Sequence, residues 1–470
     1  MKILFKIGCF WLCVFSVYAQ DKNVVVGVEL NTGASTAKTL PFWLTANKYG
    51  AIPTSDYGSL NAYIGKGFKQ NENDWDIAYK GSFTGYLATE NSVFVNELYA
   101  SVRYKGILLT VGNKYDAVQW EGLSSSNGNF LKSTNSRAMP GINFETNGFV
   151  SVGFWKDWFS IKANYAEYLM NDDRIVDGAH AHNKSLHFKF KTSEKFSFSV
   201  GLDDWAQWAG TNPVHGELIY DFNAYIRMVL GKARSASDVT STDKLNALGN
   251  HMGNYSIQLH HLGDQFNWDF YWSHPFEDKS GRELQNWPDA LYGLAIELKN
   301  PKGLVSHLVT EVTYTKNASG SETHYLDENG VDVPKRGRDR YFKNAQYNSG
   351  WSYFGRTIGT PYIITEVNEE GVVTGPDLSY NRLLAFNIGT KGFIQEKVAY
   401  KMLFSYVHYY AWFDEEFETT PRQFSGFAEF DISSLLNWPI GVEFGTSFDL
   451  GNRLPDNVGG FLKIYKRLEF

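Results

Sequence analysis

Residues 440–450 read IGVEFGTSFDL, and the stretch alternates. Ile440, Val442, Phe444, Thr446, Phe448 and Leu450 fall on one side, with Gly441, Glu443, Gly445, Ser447 and Asp449 between them. A period of two is the pattern of a strand with one apolar and one polar face. A soluble β-protein turns the apolar face into its core. A transmembrane barrel turns it out to lipid and lines its interior with the polar face. The same alternation recurs along the chain. Phe196, Phe198, Val200 and Leu202 share a face, as do Phe266, Trp268, Phe270 and Trp272. Leu186, Phe188 and Phe190 alternate with His187, Lys189 and Lys191, and Val398, Tyr400, Met402, Phe404 and Tyr406 line one side of 398–410. Further strand candidates lie near 24–30, 59–67, 75–87, 93–104, 107–113, 142–154, 158–168, 217–230, 253–262, 291–299, 303–314, 381–391, 422–431 and 459–470. The pattern predicts about 18 strands, many near the length a tilted strand needs to cross a bilayer.

The connections are of two kinds. Some are short and turn-rich, such as 192–195 and 299–303; others are long and polar, such as 114–141, 169–184, 203–216 and 315–380. Tight turns at one end and long loops at the other are expected of outer-membrane barrels. One short helix is predicted within 241–253, with Thr242 or Asp243 as its N-cap. The fold read from this pattern is all-β: a transmembrane antiparallel barrel with long extracellular loops, forming a single domain over 20–470.

Composition and the two ends extend the picture. Aromatic residues are 16% of the chain and there are 43 glycines, which suits aromatic girdles and tight turns. Mean hydropathy is −0.33, which does not exclude a barrel, because inward polar residues cancel outward apolar ones. Lys2 and Lys6, an apolar run from Ile7 to Val17, and Val17 and Ala19 at the −3 and −1 positions of a cleavage site read as a secretory signal peptide over 1–19. Both cysteines, Cys9 and Cys13, lie in that leader, so the mature chain has no thiol for a disulfide or a metal. Removing the leader leaves 42 basic against 51 acidic residues, a balance that argues against nucleic-acid binding. The last residues, FLKIYKRLEF, place Leu462, Ile464, Leu468 and Phe470 on one face. This resembles the C-terminal strand of bacterial outer-membrane proteins, which ends on Phe and serves as an assembly signal.

Two stretches carry a family resemblance. PFWLTANKYG (41–50) and YFKNAQYNSGWSYFGRTIGTP (341–361) are similar to the two signatures of the Wzi-type capsule-assembly family, in the same order along the chain. The resemblance implies an outer-membrane barrel that associates with capsular polysaccharide at the cell surface. The family's best-studied type also carries a small helical bundle on the periplasmic side. Lipid and lipopolysaccharide, and the barrel-assembly machinery during biogenesis, are the further partners expected.

Sugar binding needs flat aromatic faces, fixed polar groups and, for an acidic glycan, basic groups. Trp205 and Trp208, in the segment 203–213 read as a loop, offer such faces; the alternative is a girdle or packing role. Arg336 and Arg338, in PKRGRDR (334–340), suit carboxylates or phosphates; the alternative is a solvated loop. Trp351, Tyr353 and Arg356 line the same site or else brace or plug the lumen. No nucleophile elbow, zinc-protease motif or phosphate loop is present, and no cofactor is expected. His180 and His182 would share a strand face but lack a third ligand, while His260 and His261 would point to opposite faces. The acidic run 412–418 lacks the spacing of a calcium loop. The reading is a non-catalytic polysaccharide-binding barrel. The alternatives are a porin-like channel, an outer-membrane hydrolase assembled from several strands, and a soluble secreted β-protein.

Overall fold

Eighteen antiparallel strands close on themselves. The computed structural model describes residues 24–69, 75–153, 158–232, 248–277, 279–318, 323–326, 330, 332–335, 340–367, 373–376, 380–411 and 416–470. The leader, Arg336, Arg338, residues 241–247 of the expected helix and 412–415 of the acidic run lie outside these.

The first six strands are β1 (Val24–Ser35), β2 (Tyr57–Lys66), β3 (Asp76–Leu87), β4 (Ser92–Tyr104), β5 (Ile107–Asn113) and β6 (Gly141–Thr146, resumed at Val150–Ser151). The next six are β7 (Phe159–Leu169), β8 (His180–Lys191), β9 (Phe196–Trp208), β10 (Asn250–Leu262), β11 (Phe266–Phe276) and β12 (Ala290–Leu298). The last six are β13 (His307–Tyr314), β14 (Arg382–Ile394), β15 (Val398–Tyr410), β16 (Arg422–Asp431), β17 (Gly441–Gly451) and β18 (Asn457–Glu469). Each pairs with the next, and β18 returns to β1 with Val25 opposite Glu469 and Ser35 opposite Gly459. Closure leaves no sheet edge, so the backbone polar groups of the wall are satisfied by the ladder, as lipid requires.

The alternation sets the two faces. Leu60, Ile64, Phe83, Ile142, Phe386, Ile388, Phe444 and Leu450 are exposed on the outer wall, while Ser82, Thr84, Glu311, Asn387, Ser447 and Asp449 are buried inside. The apolar face of 440–450 therefore points outward, to lipid. Several inward glycines face an aromatic ring on the neighbouring strand. Gly441 is paired with Tyr465, whose ring lies where a Cβ would be. Such rings cover the gap a strand glycine leaves.

The ends differ as expected. Turns at 105–106, 192–195, 263–265 and 395–397 lie at the end that holds Val24 and Glu469; the loops 36–56, 114–140, 209–249 and 315–381 lie at the other. Three assignments are corrected. Residues 217–230, read as a strand, contain the helix α2 (Phe222–Val229), following the four-residue α1 (Phe42–Thr45). In α2, Ala224 and Met228 are buried one turn apart, and the Asp221 carboxylate accepts from Ala224 N at 2.7 Å. That cap, worth about 1 kcal/mol, and the i, i+4 spacing outweigh the β-propensity of the stretch. Residues 203–208, read as loop, complete β9, and Asn250–Gly253 of the expected helix open β10. Among the described residues no helix is long and apolar enough to cross a membrane.

Candidate functional site

Three segments from the long-loop end fold back into the barrel. In 36–56, the Asp449 carboxylate of β17 accepts from Phe42 N at 2.9 Å, and Trp43 Nε1 donates to Ser405 Oγ of β15 at 3.1 Å. In 114–140, the Trp120 indole stacks on Tyr271 of β11 at 4.1 Å. Glu311 of β13 accepts from Ser125 N at 2.6 Å and from Tyr271 OH at 2.6 Å, and Glu121 pairs with Lys391 of β14 at 2.6 Å. The third segment, 340–366, lies across the second. Trp351 Nε1 donates to Leu131 O at 2.6 Å, Ser133 N to Ile358 O at 2.8 Å, and Thr360 N to Phe130 O at 3.0 Å.

The three segments share one core with the inner wall, containing Trp43, Leu123, Phe130, Trp351 and Tyr362. This is a plug. The two stretches that carry the family resemblance meet inside it, where Arg356 Nη1 donates to Thr45 Oγ1 at 3.4 Å, and Tyr362, just past the second stretch, stacks on Phe42 at 5.8 Å.

The expected sugar-binding residues are distributed as follows. Trp205 and Trp208 do not form one platform, because three residues apart on β9 they face opposite sides of the wall. Trp205 is buried against Trp351 at 5.2 Å, and Trp208 stacks outside on Tyr220 at 5.2 Å. Trp351 is fully buried in the plug. Tyr353 is buried, and its hydroxyl donates to Asn171. Arg356 lies in the plug, where burial pulls its guanidinium down to about 10, still cationic at neutral pH. The structure thus brings Trp205, Trp351, Tyr353 and Arg356 to the plug, with Trp208 outside.

A feature the sequence reading missed sits near the mouth. The Arg137 guanidinium is held between the rings of Phe94 and Phe354, 3.7 and 4.4 Å from their centroids, and Phe354 stays exposed. The signal was absent because the rings and the cation come from three distant segments.

The histidines bear on the catalytic alternative. His180 and His182 share the outer face of β8, and His182 Nδ1 lies 2.6 Å from Glu167 Oε1. His260 faces inward to Asp269 at 2.8 Å while His261 packs outside against Trp268. Ser256 Oγ lies 3.4 Å from His187 Nδ1, whose Nε2 lies 3.2 Å from Asp203 Oδ1. Ser256 is paired to Gly201 on one side and Ser273 on the other, so the surrounding backbone donors belong to the ladder and none is free to hold an oxyanion. Among the described residues no group of three or more metal-ligating side chains converges.

No family model matches this chain, and no curated protein matches it. Solved structures do. One is described as Wzi, an outer membrane protein involved in group 1 capsule assembly in Escherichia coli and a carbohydrate-binding β-barrel. It is 14% identical, with a TM-score of 0.55, over 94% of this chain and 84% of that one. Pseudomonas aeruginosa OccK5 (OpdH) matches at 8% identity and a TM-score of 0.48, over 95% of this chain and 98% of that one. Pseudomonas aeruginosa OprD also matches, at 8% identity and a TM-score of 0.48, over 95% of each chain. At such identities the likeness speaks to the fold: an outer-membrane-type β-barrel.

Proposed function

We propose that this chain, after loss of residues 1–19, resides in the bacterial outer membrane and binds extracellular or capsular polysaccharide, assisting its assembly or attachment without chemical turnover. The observation that carries the reading is the plug. A conducting channel needs a continuous wet lumen, whereas here Trp43, Phe130, Trp351 and Tyr362 fill the lumen with a hydrogen-bonded apolar core. A closed barrel leaves its long loops as the working surface. The Phe354 ring beside the Arg137 cation supplies an apolar face and a positive charge at the mouth, the pair an acidic glycan requires. Arg336 and Arg338 precede Phe354 in the sequence and would add basic groups for the same glycan. The outer wall meets lipid and lipopolysaccharide, and the barrel-assembly machinery is the expected partner in biogenesis. The resemblance of 41–50 and 341–361 to the Wzi-type family, and their meeting inside the plug, agree with this reading.

The test is a glycan-binding assay on purified protein with Phe354→Ala and Arg338→Ala, paired with capsule retention in a deletion strain. Weakened binding in the variants and lost surface capsule with polymer still secreted are expected. Unchanged retention together with no glycan binding would overturn the reading.

A further inference from the structure

On the outer wall of β11–β16 the strand registers stack side chains in rows. One row runs Phe270, Leu294, Thr310, Ile388 and Phe404. The next, one step toward the long loops, runs Tyr292, Val312, Phe386, Tyr406 and Phe424. Thr310 is the short side chain of the first row, and the wall is concave around it. The side chains of the two rows enclose a hollow of about 500 Å³, a size that ligand pockets have. Apart from Thr310 they are aromatic or aliphatic.

One step further up, the chemistry changes. Tyr314 and Leu384 lead to His408, which sits directly opposite Arg422, and Lys316 and Tyr410 follow. Lys316 Nζ stands 4.3 Å from the Tyr410 ring centroid, and His408 stacks on the same ring at 4.5 Å. The ring holds the ammonium in place without cancelling its charge. Among the described residues no carboxylate lies within ion-pair distance of Lys316 or Arg422, Glu416 and Glu418 just after β15 included. Asp289 is turned elsewhere, accepting from Tyr341 OH and from the Asn317 and Ala318 amides. Arg382 gives its guanidinium to the Lys316 and Ala411 carbonyls. On β8, by contrast, the outer-face Lys184 is matched by Asp204. The rim above the hollow therefore carries two cations that the described wall does not balance, at the level where its apolar band ends.

A positive rim over an apolar hollow, on a wall that faces lipid, fits an amphiphile with an anionic head and acyl tails. We propose that this face binds one phosphorylated, acylated lipid of the outer leaflet, its phosphate at Lys316 and Arg422 and one acyl chain in the hollow floored by Thr310. The proposal rests on the outer-membrane reading and is independent of polysaccharide binding, since the site lies outside the wall, away from the plug and Phe354. The bound phosphate would relieve the repulsion between Lys316, His408 and Arg422 and hold the lipid head beside the ends of β13 and β15.

The experiment is lipid titration of the purified full-length protein in detergent, read by native mass spectrometry, with diphosphorylated lipid A and its dephosphorylated form as probes. The phosphorylated lipid is expected to bind at least about tenfold more tightly, as two surface cations imply. Lys316→Met combined with Arg422→Met should remove that preference. The same loss of charge at the short-turn end, Lys302→Met with Lys397→Met, should leave it unchanged. Thr310→Phe fills the hollow and should weaken binding of both lipids, and excess inorganic phosphate should displace neither. Heat-modifiable gel mobility checks that each variant folds; if the rim variant does not, salt decides, because high ionic strength should erase the preference of the wild type. Equal binding of the two lipids, an unaltered rim variant, an equal loss in the short-turn variant, an unaltered Thr310→Phe, displacement by inorganic phosphate or a preference that ignores salt would overturn the proposal. Cell fractionation reads the membrane location separately, so a chain found in the outer membrane that shows no lipid preference sinks this inference alone.

Discussion

The Trp351 indole donates its one hydrogen bond to the Leu131 carbonyl, 2.6 Å away and 220 residues earlier in the chain. This bond ties the two largest plug segments together at a point with no contact to solvent. Trp351→Ala should open a void and leave Leu131 O unpaired, costing about 3–5 kcal/mol of plug stability while the wall stays folded. Limited trypsin digestion should then cut after Lys132 and Arg137 in the variant faster than in the wild type, with unchanged heat-modifiable mobility.

Glu311 anchors the tip of 114–140 to the wall. Its carboxylate takes Ser124 Oγ, Ser125 N, Tyr271 OH and Asn387 Nδ2. Glu311→Ala strands Ser124 Oγ, Ser125 N and Tyr271 OH, while Asn387 Nδ2 keeps the Leu123 carbonyl, and should cost about 2–4 kcal/mol, whereas Glu311→Gln keeps part of the network. Hydrogen exchange at Ser125 and Gly128 reads this directly, with faster exchange in Ala than in Gln.

Asp289, just before β12, is buried and accepts from Tyr341 OH at 2.7 Å, Asn317 N at 2.8 Å and Ala318 N at 2.6 Å. Burial pushes its carboxyl up to about 7 despite those bonds. A carboxyl that holds its proton more tightly when folded makes stability fall as pH rises from the ordinary value near 4 through 7, and level off above. Urea midpoints should decline over that window in the wild type, and Asp289→Asn should flatten the decline.

Gly441 leaves room for the Tyr465 ring across the β17–β18 pair. A Cβ there must displace the ring, so Gly441→Ala should cost about 1–3 kcal/mol. Once Tyr465→Ala has removed the ring, the same Gly441→Ala change should be tolerated. Urea titration of the single and double variants should show the double less destabilised than the sum of the two singles.

The barrel was legible because every membrane-crossing strand must alternate, and 440–450 already carried the rule. It failed where the solvent changes. Asp203, Asp204 and Gln207 made the end of β9 look like loop, although Asp204 is paired with Lys184 and His251 on the outer face. In α2, Phe222 and Ile226 fit either period over so short a run, and the Asp221 cap decides between them only in coordinates. The plug was the larger omission. SSSNGNFLKSTNS (124–136) reads as solvated loop, yet Ser125, Ser126 and Ser133 are buried. Ser125 N finds Glu311 and Ser133 Oγ finds the Ile358 and Gly359 carbonyls, partners some two hundred residues away that no local pattern announces. The aromatic content of 341–361 reads as a sugar site or a brace of the lumen, and its rings Tyr341, Phe342, Trp351 and Tyr353 are buried in the plug core.

The most direct test of the account is the steady current that the purified full-length chain carries across a planar lipid bilayer at neutral pH. A barrel closed by Trp43, Phe130, Trp351 and Tyr362 should insert and carry no sustained ionic current, with Trp351→Ala raising the current above that baseline. Stable, open-level conductance from the unmodified protein would contradict the plugged, binding barrel and favour a channel.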